Sequence, residues 1–157
     1  MSESVFGYKI RKPYPGESTY FQKNPHVAGM AAEDGQITLN PFSKNTPEQQ
    51  QIVAKNEAIR LYMTEMKANP SFEVTKEQKK AFAGTEYGKP ENAKHLKHTI
   101  VARMLTGDAS AGTPTKEQQA YADMVRKSLD EKEMSARSSF MAQYLLGANK
   151  QPTTPQK

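Results

Sequence analysis

Gln36-Ile-Thr-Leu-Asn-Pro-Phe-Ser-Lys-Asn-Thr46-Pro-Glu-Gln49, continued by Gln50 to Met66, holds a short strand, a helix cap and the best amphipathic stretch of the chain. Thr46 to Gln49 is a capping box with proline at the first helical position. The threonine oxygen takes the Gln49 amide, the Gln49 side chain reaches back, and Pro47 has no amide to leave orphaned. Beyond it Ile52, Val53, Ile59, Tyr62, Met63 and Met66 recur at spacings that predict one inward stripe, with Gln50, Lys55, Glu65 and Lys67 mostly on the wet side. Pro70 requires the helix to stop before it. Ahead of the cap, Ile37 and Leu39 share one strand face and Thr38 the other. Ala32 to Gly35 reads as the turn of a hairpin with residues 26–31. A lone hairpin is marginal in water, so it must lean on the helix or on another chain.

The chain has 157 residues, 36% of them hydrophobic, and a mean hydropathy of −0.82. Those values predict one domain with a small core, built largely from Phe, Tyr and Met. Without cysteine, disulfides, thiolate catalysis and cysteine-ligated metal sites are excluded. No apolar run approaches a membrane span and no leader pattern opens the chain, so the expectation is a protein that does not take the secretory route. The net charge of +5 is mild: residues 1–25 hold four basic against two acidic groups and residues 69–107 hold seven against four. That placement favours a polyanion surface over an acidic protein surface, yet falls short of a dedicated nucleic-acid footprint.

Thr75-Lys-Glu-Gln78 repeats the cap before a short helix to about Phe82, and Pro90 can open a helix whose inward stripe is Ala93, Leu96, Ile100, Val101, Met104 and Leu105. Thr115-Lys-Glu-Gln118 is a third box, starting a helix with Tyr121, Met124, Val125 and Leu129 that either continues or breaks near Glu133. The unequal spacing of the three boxes, with divergent sequence after each, argues against a solenoid. The fold class expected is therefore mainly α: three to four helices with one small β-hairpin (domain 26–147), an extended N-terminal arm (1–25) and a flexible C-terminal tail (148–157).

The arm is the anomaly. Pro13, Pro15 and Gly16 interrupt it, yet it carries Val5, Phe6, Tyr8, Ile10, Tyr14, Tyr20 and Phe21. Two readings stand side by side: an arm that packs on a neighbouring subunit, with Phe6, Tyr8, Ile10, Arg11, Tyr14, Tyr20 and Phe21 as the contact set, or an arm folded back over its own helices. A weaker reading stacks nucleobases on its tyrosines, with Lys9, Arg11, Lys12, Lys94 and Lys97 meeting the polyanion.

Asn56-Glu57-Ala58-Ile59-Arg60-Leu61, placed behind a strand, resembles the strand-and-helix layout of zinc-dependent peptidases. There the helix reads H-E-x-x-H, because two histidines one turn apart hold the metal and the glutamate activates water. Asn56 and Arg60 stand at the histidine positions, so the chemistry is missing and Glu57 is stranded. His95 and His98, with His26, number enough for a metal, but Lys94 and Lys97 crowd them with positive charge and a solvated basic face is the expectation. The methionines on the helical stripes read as core filling ahead of an adaptable groove. No phosphate loop or nucleophile elbow is present. No catalytic residue, metal, cofactor, small-molecule substrate or membrane is expected.

Residues 26–42, from His26-Val-Ala-Gly-Met to Leu-Asn-Pro-Phe42, with Asn56-Glu-Ala-Ile-Arg-Leu-Tyr-Met63, are similar to small proteins of tailed bacteriophages and prophages. That resemblance implies a virion component, made in a host cytoplasm, whose partners are other virion proteins or copies of itself. A basic nucleic-acid-binding or host-directed phage protein is the alternative.

Overall fold

The strand Ile37–Leu39 (β4) is an inner strand of a four-stranded sheet and not one half of an isolated hairpin. The computed structural model describes residues 3–108 and 112–150. On one side β4 pairs antiparallel with β3 (Gly29–Ala31), Gly29 opposite Leu39, around a turn closed by Ala32 N–H to the Gln36 carbonyl at 2.8 Å. On the other it pairs parallel with β2 (Tyr8–Arg11), Ile10 opposite Ile37. An antiparallel strand β1 (Glu3–Val5) then completes the order β1-β2-β4-β3. Parallel neighbours need a crossover, supplied by helix α1 (Pro15–Lys23) together with β3.

Residues 3–23 are thus a hairpin and a helix, which corrects the extended arm. Val5 faces Tyr8 across a two-residue turn, Phe6-Gly7, with φ of +50° and +84°, the positive-φ pair that matches strand twist. The rings find burial inside the same chain: Phe21 is fully buried, and Tyr8, 6% exposed, packs with Ile37 and Ala58. Pro15 opens α1, and the Tyr14 N–H donates to the Glu17 carboxylate at 2.8 Å. Reading residue by residue missed this because the pairing strand of β2 arrives only at Ile37. Ile37 and Thr38, on opposite faces of β4, are both buried.

The mainly α class holds, with five helices among the described residues in place of three to four. They are α1, α2 (Pro47–Glu65), α3 (Lys76–Phe82), α4 (Ala93–Leu105) and α5 (Lys116–Lys150). All three capping boxes form: the Gln49, Gln78 and Gln118 amides donate to Thr46, Thr75 and Thr115 hydroxyls at 3.2, 3.1 and 3.1 Å. α2 ends before Pro70 is reached, because Lys67 takes φ +52° and Ala68 N–H bonds back to the Met63 carbonyl at 2.8 Å, a Schellman ending with lysine where glycine is usual. Met66 therefore lies past the helix and is exposed, as are Ile52 and Met124, all three expected inside. The main core joins Ile59 and Met63 of α2, Phe72, Val101 and Ala102 of α4, and Ala122, Val125 and Leu129 of α5.

α5 runs unbroken through Glu133 for 35 residues, about 52 Å at 1.5 Å per residue. The expected tail start, 148–150, belongs to this helix; the rest of that tail, 151–157, and 109–111 of the small-residue loop lie outside the described residues. No helix among the described residues is long and apolar enough to cross a membrane.

Candidate functional site

Where β3 crosses α2, the backbone comes unusually close. A Cβ on Gly29 would stand 3.1 Å from Val53 Cγ1, Leu39 Cδ2 and the Thr38 carbonyl, so any side chain there would require its neighbours to give way by a few tenths of an ångström. β3 is an edge strand. Ala28 and Ala32 bond toward β4, and antiparallel alternation turns the backbone groups of Gly29 and Ala31 outward. The Ala31 N–H supports the Glu57 carboxylate. Glu57 is thereby held under the strand, one turn before Arg60.

A cleft of about 560 Å³ opens beside them. α2 contributes Asn56, Glu57 and Arg60, α4 contributes Thr99 and Arg103, the 3-10 turn at 86–88 contributes Tyr87, and the chain before β3 contributes His26 and Val27. Arg60 is shared between the Glu57 carboxylate and the Tyr87 hydroxyl. Arg103 faces Asp108 at 3.9 Å. Asn56 donates to the Ile52 carbonyl at 3.3 Å and to Thr106 Oγ1 at 3.1 Å. Burial pushes the Glu57 carboxyl above the ordinary carboxylate range, and the Arg60 charge, the Arg60 hydrogen bond and the Ala31 N–H pull it back. Burial pulls the guanidinium of Arg60 down, but Glu57 and Tyr87 outweigh that and raise it, so it stays charged.

At the two positions where zinc peptidases carry histidine, Asn56 uses its amide nitrogen as a donor and Arg60 is locked in an ion pair. Arg60 has no lone pair to give a metal, and Asn56 has only a weakly ligating amide oxygen. Among the described residues no three His, Asp or Glu side chains converge as a metal site. His26 is at the cleft, while His95 and His98 stack edge-on at 6.2 Å between ring centroids on α4. His98 is 2% exposed, which corrects the solvated basic face: the end of α2 covers it, and its Nε2 meets the Ala68 carbonyl at 2.8 Å.

The arm's contact set does not form a free surface. Tyr8 and Phe21 are buried, Phe6 packs against both the main core and the sheet cluster, and Ile10 packs in the sheet cluster. Arg11 is clamped by Glu17 at 2.7 and 2.9 Å and by Asp34 at 3.0 Å, with its guanidinium 3.8 Å from the Tyr14 ring centroid. Tyr14 and Tyr20 alone of the seven remain exposed. The polyanion set is dispersed as well. Lys97 donates to the Pro70 carbonyl at 2.9 Å and Arg11 is taken up by carboxylates, leaving Lys9 on β2, Lys12 just after it and Lys94 on α4 exposed.

Sequence reasoning found Asn56, Glu57 and Arg60 but missed Tyr87, Thr99 and Arg103. The legible signal was spacing: Thr99 and Arg103, like Asn56 and Arg60, lie one helical turn apart. It also missed the distal half of α5. Past Leu129, the last residue of that helix buried among the described residues, Met134, Met141, Tyr144 and Leu145 are 67, 51, 63 and 55% exposed. Comparisons with protein-family models, with curated proteins and with solved structures find no match to this chain.

Proposed function

We propose that the chain is a non-enzymatic structural protein of an assembled particle, a virion of the tailed-phage kind its sequence resembles, and that it joins a second copy of itself through the distal half of α5. The observation carrying this reading is the bare apolar stripe on that helix. Met134, Ser138, Met141 and Leu145 follow the four-three-four spacing of a coiled-coil seam, and Met134, Met141 and Leu145 are exposed. Arg137 is the sole charged residue between positions 134 and 149. Covering the stripe with its own copy takes these apolar side chains out of water without like-charge repulsion. This replaces the arm as the contact element, since Phe6, Tyr8 and Phe21 are covered within the chain and Tyr14 and Tyr20 alone of its rings stay exposed. Of the polyanion set, the cations that remain exposed sit on different elements, so nucleic acid is not the favoured partner.

The test is the solution mass of the full chain against Met141→Glu with Leu145→Glu. Light scattering should give a concentration-dependent dimer or larger species for the parent and a monomer for the variant, with unchanged helical circular dichroism. A parent that stays monomeric at high concentration overturns the assembly role. The virion assignment is tested separately by searching purified particles for peptides of the chain, and it is lost if they are absent.

A further inference from the structure

We propose that two copies of the chain join antiparallel along α5, the distal half of each lying on the outer face of the other's first half; this rests on the self-association read above and fixes its direction and register. The first half of α5 also presents a bare line. Its buried residues, Gln118, Ala122, Val125 and Leu129, face the domain. At 3.6 residues per turn, Met124, Lys127 and Glu131 fall on the opposite side, and all three are exposed. Steps of three and four residues carry that line on into Met134, Ser138, Met141 and Leu145, exposed as well, the spacing of a coiled-coil seam. One seam thus runs from 124 to 145, about 31 Å at 1.5 Å per residue.

Charge selects the direction. Parallel and in register, each layer of such a seam joins identical residues, which stacks Lys127 on Lys127 and Glu131 on Glu131 and sets like charges together. Antiparallel, with Met124 opposite Met141 of the second copy, Lys127 meets Ser138 and Glu131 meets Met134, and no like charges touch. On the flank of the seam this register sets Asp130 against Arg137 of the second copy, twice by the two-fold symmetry. Asp130 is exposed and forms no ion pair among the described residues. Arg137 bonds Glu133 at 3.1 Å through one nitrogen, and its side chain stays 77% exposed, with further donors to give. The other flank brings Ser128 to Ser135, where no charge opposes close approach. Sliding by one heptad, so that only the distal halves overlap, leaves Met124 bare and Asp130 unmatched.

The chain has no cysteine, so introduced ones report alone. Met124→Cys and Met141→Cys, both at exposed positions, are made separately in the full chain and oxidised singly and as an equimolar mixture, at a concentration where light scattering gives a dimer. The proposed register brings the two different sites within the roughly 7 Å that a disulfide spans, while like sites lie roughly 26 Å apart along the helix. Covalent dimer should therefore form in the mixture and about fivefold less, or lower, in either variant alone. Asp130→Arg and Arg137→Asp should each weaken dimerisation about fivefold or more, and the double variant should recover it. The proposal is overturned if either single variant crosslinks as well as the mixture, if a dimeric mixture yields no crosslink, or if the charge exchange restores nothing. A dimer with the wrong crosslinks removes this pairing alone, whereas a chain that stays monomeric removes the assembly reading with it.

Discussion

His98 lies buried on α4, its Nε2–H donating to the Ala68 carbonyl, which leaves Nδ1 bare and without a partner. Burial, together with the neighbouring His95 and Lys94, lowers its proton affinity, and the Ala68 carbonyl only partly opposes this. The unfolded chain accepts a proton near pH 6.5, while the folded one resists until lower pH. Stability from this group is therefore complete above that value and is lost as pH falls through it, with a slope approaching about 1.4 kcal/mol per pH unit. Urea unfolding between pH 8 and 5 should show that decline for the parent and a flatter profile for His98→Gln; equal slopes would show the imidazole titrates freely. The sequence placed His98 correctly on a helix, three residues from His95, but on the wrong side. Ala68 comes from a chain reversal after α2, and the Schellman ending that creates it carries lysine at its left-handed position, so no glycine announced it.

The second and third capping boxes are joined to each other, and this gives the caps a second use. Gln78 and Gln118 exchange side-chain amide bonds at 2.7 and 2.8 Å, and each also accepts from the backbone N–H of its own Thr75 or Thr115. Gln118 reaches the Glu73 carbonyl at 2.8 Å as well. Both side chains are fully buried, so the starts of α3 and α5 are fastened by one network whose members satisfy one another. Replacing either glutamine by alanine strands the other amide and should cost about 2–3 kcal/mol. The double variant should cost less than the sum, with a coupling of about 1–2 kcal/mol in a thermal or urea double-mutant cycle; strict additivity would refute the joint network. Capping was readable from four adjacent letters, whereas the meeting of two caps was not, because their separation in sequence carries no local mark. Of the cleft, the part on α2 could be read from Asn56 to Arg60. The part on α4 and Tyr87 depended on how α2 and α4 pack together.

Across the molecule the hairpin β1-β2 is tied to α5 through the side chain of Lys132 as well as through Phe6 in the main core. Lys132 donates to the Phe6 carbonyl at 2.7 Å and sits 4.0 Å from the centroid of the Tyr8 ring, while Tyr8 itself donates to Glu65 at 2.6 Å. Lys132→Met keeps the aliphatic stem and removes the charge and the donor, and should lower stability by about 1–2 kcal/mol. Its solution mass should match that of the parent, because Lys132 precedes the bare stripe. A variant as stable as the parent in urea would mean that solvent replaces the contact at no cost. The global class was legible because helix periodicity and caps are local signals; the N-terminal sheet was not, because β2 is completed by β4 and by a lysine 126 residues further along. That interval also sets a delay during translation. A ribosome adding roughly 5–20 residues per second takes roughly 6–25 s to deliver Lys132 after Phe6. Through that interval the first hairpin must wait with its turn carbonyl unclaimed, which makes the opening strands the part of a nascent chain most in need of a chaperone.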